Sequence, residues 1–421
     1  MAKALTIVQV PEGYQLSLEE YGEEVGAVFA WENEEQDDGI SISIDIDGNL
    51  TDLSIDKSDE IIKSSSLSIN EKRKRAEDFL LSHYPNVFQH FTFYRTNELS
   101  QATRFDYEQI VMDLPLEELS CMIDIDLAGN VVRSCYDGVK AIPEVPATLI
   151  SKEKLIEEVQ KNLDLQLKII NLYADSNDME GEGLRLVYEP EQSFMKYKAD
   201  VLKPTLTIER EVNDVETLIP LPALSITHKG FTNEEIIGIT EQMEIIREVD
   251  MGPELGIVWR DRNWQSDETD LSIEGVFQRH TEDTVKAFIS KESGKVKSFL
   301  WFNERQGKRE LSRDACYLIE IEFLQTVIPE YYRYLQLIVR EEDEEEDDDF
   351  QKVLFSFEMN NDYGVPVELG MVTISVNRTT GYIDYFSGSD IDLAQLVKIP
   401  PSQRFLRLKL KKYSTIIWIL N

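Results

Sequence analysis

Four histidines, His83, His90, His228 and His280, are the first places to look for chemistry, and none stands at HxH, HxxxH or HExxH spacing. With no paired cysteines near them, neither a structural zinc nor a metalloprotease helix has its ligand set, so packed or surface histidines are the expectation. Three cysteines, Cys121, Cys135 and Cys316, are too few and odd in number for a disulfide framework. Cys121 and Cys135 flank one predicted hairpin and could face each other across it. Without an export signal, reduced and buried thiols are the simpler reading. Asp45-Ile46-Asp47-Gly48-Asn49 and Asp124-Ile125-Asp126 superficially resemble calcium loops. A calcium loop needs oxygens at alternating positions through to a bidentate glutamate. Here the isoleucines alternate as in a strand, so surface aspartates beside a turn are expected. Gly181-Glu182-Gly183 lacks a third glycine, and no GxxxxGK[ST] or GxSxG motif is present. Eighty acidic residues place carboxylate pairs everywhere, and that abundance removes their value as a signal.

The charge balance sets the partners. Forty-three basic residues against eighty acidic ones give a net charge of −37 over 421 residues. Such a chain repels nucleic-acid phosphates and anionic lipid, so no nucleic-acid or membrane partner is expected without a local basic patch. The patches are Lys72–Arg75, on a predicted amphipathic helix whose solvated face they form, and Arg404–Lys412. Hydrophobic residues make up 42% of the chain, enough for packed cores despite the charge. The N-terminus has no signal-peptide pattern and no stretch approaches a membrane span, so a soluble, cytoplasmic protein is expected. The run Glu341–Asp349 reads as a solvated loop with at most weak, unspecific affinity for divalent ions. Trp31, Trp259, Trp264, Trp301, Tyr331, Tyr332 and Tyr334 fall mostly in strands or at helix ends, where core packing explains them better than a ligand platform.

The elements that would position any site repeat. Residues 40–56, 121–136, 284–300 and 371–386 each alternate apolar and polar residues around a short turn with glycine, and 194–208 is a weaker relative. Helix-period segments 68–82 and 312–328 both open with serine. HYPNVFQHF (83–91) and VIPEYYRYL (327–335) follow them, matched at the proline. Self-similarity over so many positions signals a duplication. The expected fold is α+β: repeated antiparallel hairpins and sheets with helices packed on one face, in two tandem copies.

The expected units are an N-terminal hairpin unit (1–60), a helix-plus-sheet unit (61–145) and a helix-led unit (146–225). A second hairpin unit (226–308) and a second helix-plus-sheet unit (309–400) follow, with Pro220, Pro222 and Gly230 punctuating the boundary near 211–231. Residues 401–421 are atypical. The second copy lacks a third unit, and the ending turns abruptly basic and apolar. With suitable codons, residues 404–421 read one base earlier give EISEAEAKKVFNNNLDFKL, which matches the first copy's ISKEKLIEEVQKNLDLQL. The expectation is an out-of-frame tail from about Arg404 on a truncated chain, set against a plain amphipathic edge strand.

The segment FEMNNDYGVPVELGMVTISVNRTTGYIDYF (357–386) resembles the YcdB/YcdC repeat-domain family of Gram-positive bacteria. It has an aromatic strand, an N-x-x-G-V-P-V-like turn, an I-x-V strand and a T-G-Y turn. Residues 150–200, with Ile150-Ser151-Lys152-Glu153, LRLVYEP and YKAD, are similar to that family's other unit. There Ala199-Asp200 reverses the family's Asp-Ala pair, and the glycine of its turn is missing. The resemblance implies helices on antiparallel sheet, distantly similar to PepSY-type domains, and carries over no catalytic residue, metal or cofactor. Many of the relatives look exported. Repetition without a catalytic constellation leads to the expectation of a non-enzymatic protein- or peptide-binding module, extending by that analogy to restraint of a peptidase. The rival readings are a hydrolase using dispersed carboxylates and a truncated remnant of a longer family member.

Overall fold

The computed structural model describes the chain except residues 23–25, 35–37, 58–66, 117–120, 140, 142–145, 163–164, 173–182, 191–196, 204–216, 225–229, 266–268, 303–304, 341–350 and 400–421. The acidic run Glu341–Asp349, His228, Gly181, the basic ending from Arg404 and most of the 194–208 hairpin lie outside the described residues. Two compact units emerge. Unit 1 comprises Met1–Glu144 with Gln265–His280, and unit 2 comprises Val145–Trp264 with Thr281–Asn421.

Unit 1 contains α1 (Ala4–Ile7), β1 (Gln15–Gly22), β2 (Gly26–Glu32), β3 (Gly39–Ile44), β4 (Leu50–Asp56) and α2 (Ile69–His83). Then come β5 (Thr92–Glu98), β6 (Ala102–Glu108), a short pair β7 (Ile110–Val111) and β8 (Leu114–Pro115), β9 (Cys121–Asp126) and β10 (Val131–Tyr136). Eight strands form one antiparallel sheet in the order β1-β2-β3-β4-β10-β9-β6-β5. Period-two alternation sends Ile40, Ile42, Ile44, Leu50 and Leu53 to one face, where they are buried with Phe105, Ile123 and Ile125. Across that face lies α2, with Ala76 and Leu80 fully buried.

Unit 2 begins with α3 (Lys152–Asn162), β11 (Leu165–Leu172), β12 (Gly183–Pro190), β13 (Thr217–Pro220), α4 (Asn233–Ile237), β14 (Met243–Asp250) and β15 (Glu254–Asp261). After α5 (Ile273–Thr281), nearly all of which clusters with unit 1, follow β16 (Thr284–Ser290), β17 (Val296–Trp301), α6 (Arg313–Val327) and α7 (Pro329–Tyr332). The unit ends with β18 (Leu335–Val339), β19 (Lys352–Met359), β20 (Val372–Asn377), β21 (Ile383–Ser387) and α8 (Leu393–Leu396). Its nine-stranded sheet runs β13-β18-β19-β20-β21-β17-β16-β15-β14. Read from β14 inwards, this is the path of the first sheet, strand for strand, with β13 added at the far edge.

The duplication extends to register. In the first sheet Phe29, Ile42 and Leu53 are cross-strand neighbours, as are Ser134, Ile123 and Phe105. The second sheet places Ile257, Ala287, Phe299, Phe386, Ile374 and Phe355 in the same row. Even the irregularities match: β1 slips between Leu16 and Leu18 beside Trp31, and β14 slips between Ile245 and Arg247 beside Trp259. A one-residue slip elsewhere would turn a buried face outward, so register is held wherever one face is covered.

Helix starts repeat as well. Ser68 and Glu71 form a reciprocal capping box at α2, and the Ala315 N–H donates to Ser312 Oγ at 3.2 Å at the start of α6. Ser312→Ala is expected to cost about 1 kcal/mol, since it orphans that amide; urea unfolding followed by far-ultraviolet dichroism would register it. The helix-led segment after the first sheet also clusters with unit 2. β11 pairs with β12, the Ile169 N–H donates to the Pro366 carbonyl at 2.9 Å, and Gln395 Oε1 accepts from the Leu184 N–H at 3.0 Å.

Candidate functional site

The residues that looked most chemical are placed as structure. Asp45 and Asp126 each close a D-x-x-G-N turn, with Oδ1 accepting from the backbone N–H of Asn49 or Asn130 at 2.7 Å. Gly48 (φ 80°) and Gly129 (φ 90°) supply the left-handed residue of these turns. Desolvation raises the Asp45 carboxyl, but hydrogen bonds from Asn49, Asp47 and Gly48 outweigh it and hold the group below its ordinary value. Asp124 is not a surface aspartate. It is 4% exposed and takes two charge-assisted hydrogen bonds from Arg104, at 2.8 and 2.9 Å. Among the described residues, no group of three or more His, Cys, Asp or Glu side chains is arranged to hold a metal ion.

The cysteines do not face each other. Cys121 pairs with Tyr136 and Cys135 with Met122, which puts the two thiols on opposite faces of the sheet. Burial pushes the Cys121 thiol up to about 12, so it stays protonated and inert; Cys135 is only half-buried. His83 Nδ1 lies 3.0 Å from the Phe79 carbonyl and His280 Nδ1 2.8 Å from that of Val276, each on its own helix. Lys72–Arg75 is less a free basic face than its sequence suggests. Lys72 donates to Thr103, Arg73 bonds Glu77 and lies over the Phe93 ring, and Arg75 donates to the Gly129 carbonyl. Trp31, Trp259, Trp301, Tyr332 and Tyr334 are buried core residues, whereas Trp264 stacks on Arg260 with 3.8 Å from guanidinium carbon to ring centre.

What sequence reasoning passed over is a hollow of about 700 Å³ in unit 2, where β13, β18 and β19 end together. Its walls are the chain after β13 (Pro220–Leu224), α7 with Tyr332, and the turn from Asn360 to Gly364. Pro220 and Pro222 had the look of boundary punctuation. The usable signal was the short apolar run Leu218-Ile219 after Thr217, leading into Pro-Leu-Pro, an edge strand that ends at a proline.

Asn361 builds the turn. It is 7% exposed, and its Oδ1 accepts from the N–H groups of Tyr363 (3.0 Å) and Val365 (2.9 Å), while Gly364 takes φ 72°. Asn360 donates to Glu358 Oε1 at 3.0 Å, and its backbone N–H bonds the Tyr334 carbonyl at 2.8 Å. Tyr332 donates its hydroxyl to the Pro222 carbonyl at 2.9 Å and ties the proline segment to α7. On the rim, Arg333 faces Asp362 at 3.8 Å, both more than half exposed. At the matching turn of the first sheet, Met112 and Asp113 take positive φ between β7 and β8, and Ile110 and Val111 stand in place of the asparagine pair. Prolines, aromatic faces, amide groups and one exposed ion pair can hold an extended segment by shape and hydrogen bonding. Among the described lining residues there is no nucleophile beside a base.

Comparison with known proteins agrees with the two-sheet architecture. Proteins YcdC and YcdB of Bacillus subtilis (strain 168), both uncharacterised, are 29% and 28% identical to this chain. The YcdC alignment covers 94% of this chain and 85% of the relative, and the YcdB alignment 95% and 84%. The solved Bacillus megaterium YpeB C-terminal domain is 12% identical, covering 72% of this chain and 96% of its own, with a TM-score of 0.29, too slight a likeness to argue from. No helix among the described residues is long and apolar enough to cross a membrane. The YcdB, YcdC repeated domain matches residues 1–138 and 230–390, which hold the two sheets and leave the intervening helix-led segment and β13 outside. The chain belongs to the YcdB, YcdC repeated-domain family.

Proposed function

We propose that this protein is a non-enzymatic binding module that holds an extended segment of a protein or peptide in the hollow of unit 2. The carrying observation is the hollow itself, lined by Pro220, Pro222, Leu224 and Tyr332, with Asn360 and Asn361 where the first sheet's matching turn has Ile110 and Val111. A concave, mostly apolar pocket with a few convergent polar groups is the usual form of a recognition site. Restraint of a peptidase is one form such recognition takes, as the PepSY-type analogy suggests.

The test is a screen of immobilised extended peptides against the whole chain, repeated with Leu224→Asp. Leu224 is 51% exposed, so the charge enters the hollow without disturbing the core. The expected result is a subset of peptides whose affinity falls about tenfold or more in the variant, the effect of a 1.4 kcal/mol loss. Equal binding by both forms would remove the hollow from the account.

A further inference from the structure

Cations gather elsewhere on unit 2, on the face of its sheet opposite the core-packed row of Ile257 and Ala287. Val258 of β15 has Arg247 of β14 directly opposite on one side and Lys286 of β16 on the other. Strands about 4.8 Å apart put these two cations within easy side-chain reach of a shared point above Val258. Arg260, two residues along β15 and 9% exposed, projects to the same face and is fixed by the Glu282 carbonyl at 3.1 Å and by the Trp264 ring. Lys286 Nζ sits 4.6 Å from the centre of the Phe302 ring. Desolvation pushes the Lys286 amine down, and repulsion from Arg247 and Arg260 pushes it further the same way. Among the described residues, neither Arg247 nor Lys286 has a carboxylate within ion-pair distance.

In a chain of net charge −37 this convergence is out of character. The first sheet, matched in register, carries Leu18, Ser41 and Glu32 at the corresponding positions around Ala30. The cations are therefore a property of one copy, absent from the shared scaffold. At about 0.1 M salt the Debye length is about 10 Å, so distant carboxylates are screened; Asp283 and Glu282 act on Arg260 from close by, while Arg247 and Lys286 act together on anything placed above Val258.

We propose that Arg247 and Lys286, backed by Arg260, form an oxyanion site that takes a phosphate group. A guanidinium fork beside an ammonium suits a tetrahedral anion with several acceptor oxygens better than a single carboxylate.

Nitrogen-edited NMR titration of the whole chain with inorganic phosphate, and in a second arm with glycerol phosphate, tests this. The expected result is a saturable shift of the Val258, Arg260 and Lys286 amides, weakened about tenfold or more in the Arg247→Gln, Lys286→Gln double variant. Saturation with inorganic phosphate identifies a free phosphate site, and saturation with glycerol phosphate alone identifies a phosphate monoester site. No saturable shift in either arm, the same shift with sodium chloride at matched ionic strength, or undiminished affinity in the double variant would overturn the proposal. Thermal melts of that variant confirm that it folds, since Arg247 is exposed and Lys286 half-buried.

Discussion

Arg305→Ala destabilises unit 2 by about 3–5 kcal/mol, the usual cost of removing one partner from a buried ion pair. Asp384 is 1% exposed and accepts from Arg305 Nε at 2.8 Å. Arg305 also donates to the Ile383 carbonyl at 2.6 Å and lies over the rings of Trp301 (4.0 Å) and Tyr382 (4.9 Å). Burial pushes its guanidinium down, Asp384 pulls it back up, and the net direction is down. Asn377 completes the network, donating to Asp384 at 3.1 Å and to the Arg305 carbonyl at 2.9 Å. With the guanidinium gone, Asp384 keeps Asn377 and Lys352, whose amine is 3.4 Å away and 32% exposed. That is a poor replacement for a fork inside the core. Urea unfolding read by tryptophan fluorescence measures the loss, and Asp384→Asn combined with Arg305→Ala should recover part of it. A loss below about 1 kcal/mol, the size of a surface pair, would mean Lys352 carries the charge alone.

Replacing Glu320 with methionine stabilises unit 2 by about 1–4 kcal/mol near pH 8, as apolar residues of similar volume do when they replace buried charge. Glu320 is wholly buried on α6, and neither carboxylate oxygen has a hydrogen-bond partner. At the matching position of α2 stands Ala76, equally buried. Desolvation raises the Glu320 carboxyl well above its ordinary value, and Arg313 offsets only part of the effect. The folded state therefore holds this proton more tightly than the unfolded chain does. Its contribution to stability is fully present below the ordinary carboxylate range and is lost as pH rises through the raised folded value. Thermal melts across that window should fall more steeply for the native chain than for Glu320→Met. Glu320→Gln should flatten the pH dependence while retaining the cost of an unpartnered polar group. Parallel curves for all three proteins would show that Glu320 finds a partner when ionised.

The two-copy plan was legible because it rests on period-two alternation and turn glycines, both of which the sequence states directly. Ile40, Ile42 and Ile44 could face only one way, and Ser68 and Ser312 announced their helices. Asp124 was misjudged because its partner Arg104 lies on a neighbouring strand, beyond the reach of local spacing. The same reason hid Arg305 and Asp384, and also Arg247 and Lys286, which meet only once the strand order is known. The hollow escaped notice because prolines that end an edge strand read the same as prolines in a linker. Glu320 was visible as a glutamate, but not its burial: α6 carries apolar residues on several sides, and one acid in such a helix does not reveal which way it points.

The shared register has a consequence for how the two halves could drift apart. Within a strand each copy was free to exchange one side chain for another but not to gain or lose a residue, because a single step would invert the face. Length could change only at the bends. There it did: the turn closed by Asn377 and Gly381 is one residue longer than the one closed by Asp126 and Gly129. The two sheets therefore share one strand register, and a chimera carrying β9–β10 in place of β20–β21 keeps that register while shedding Asp384.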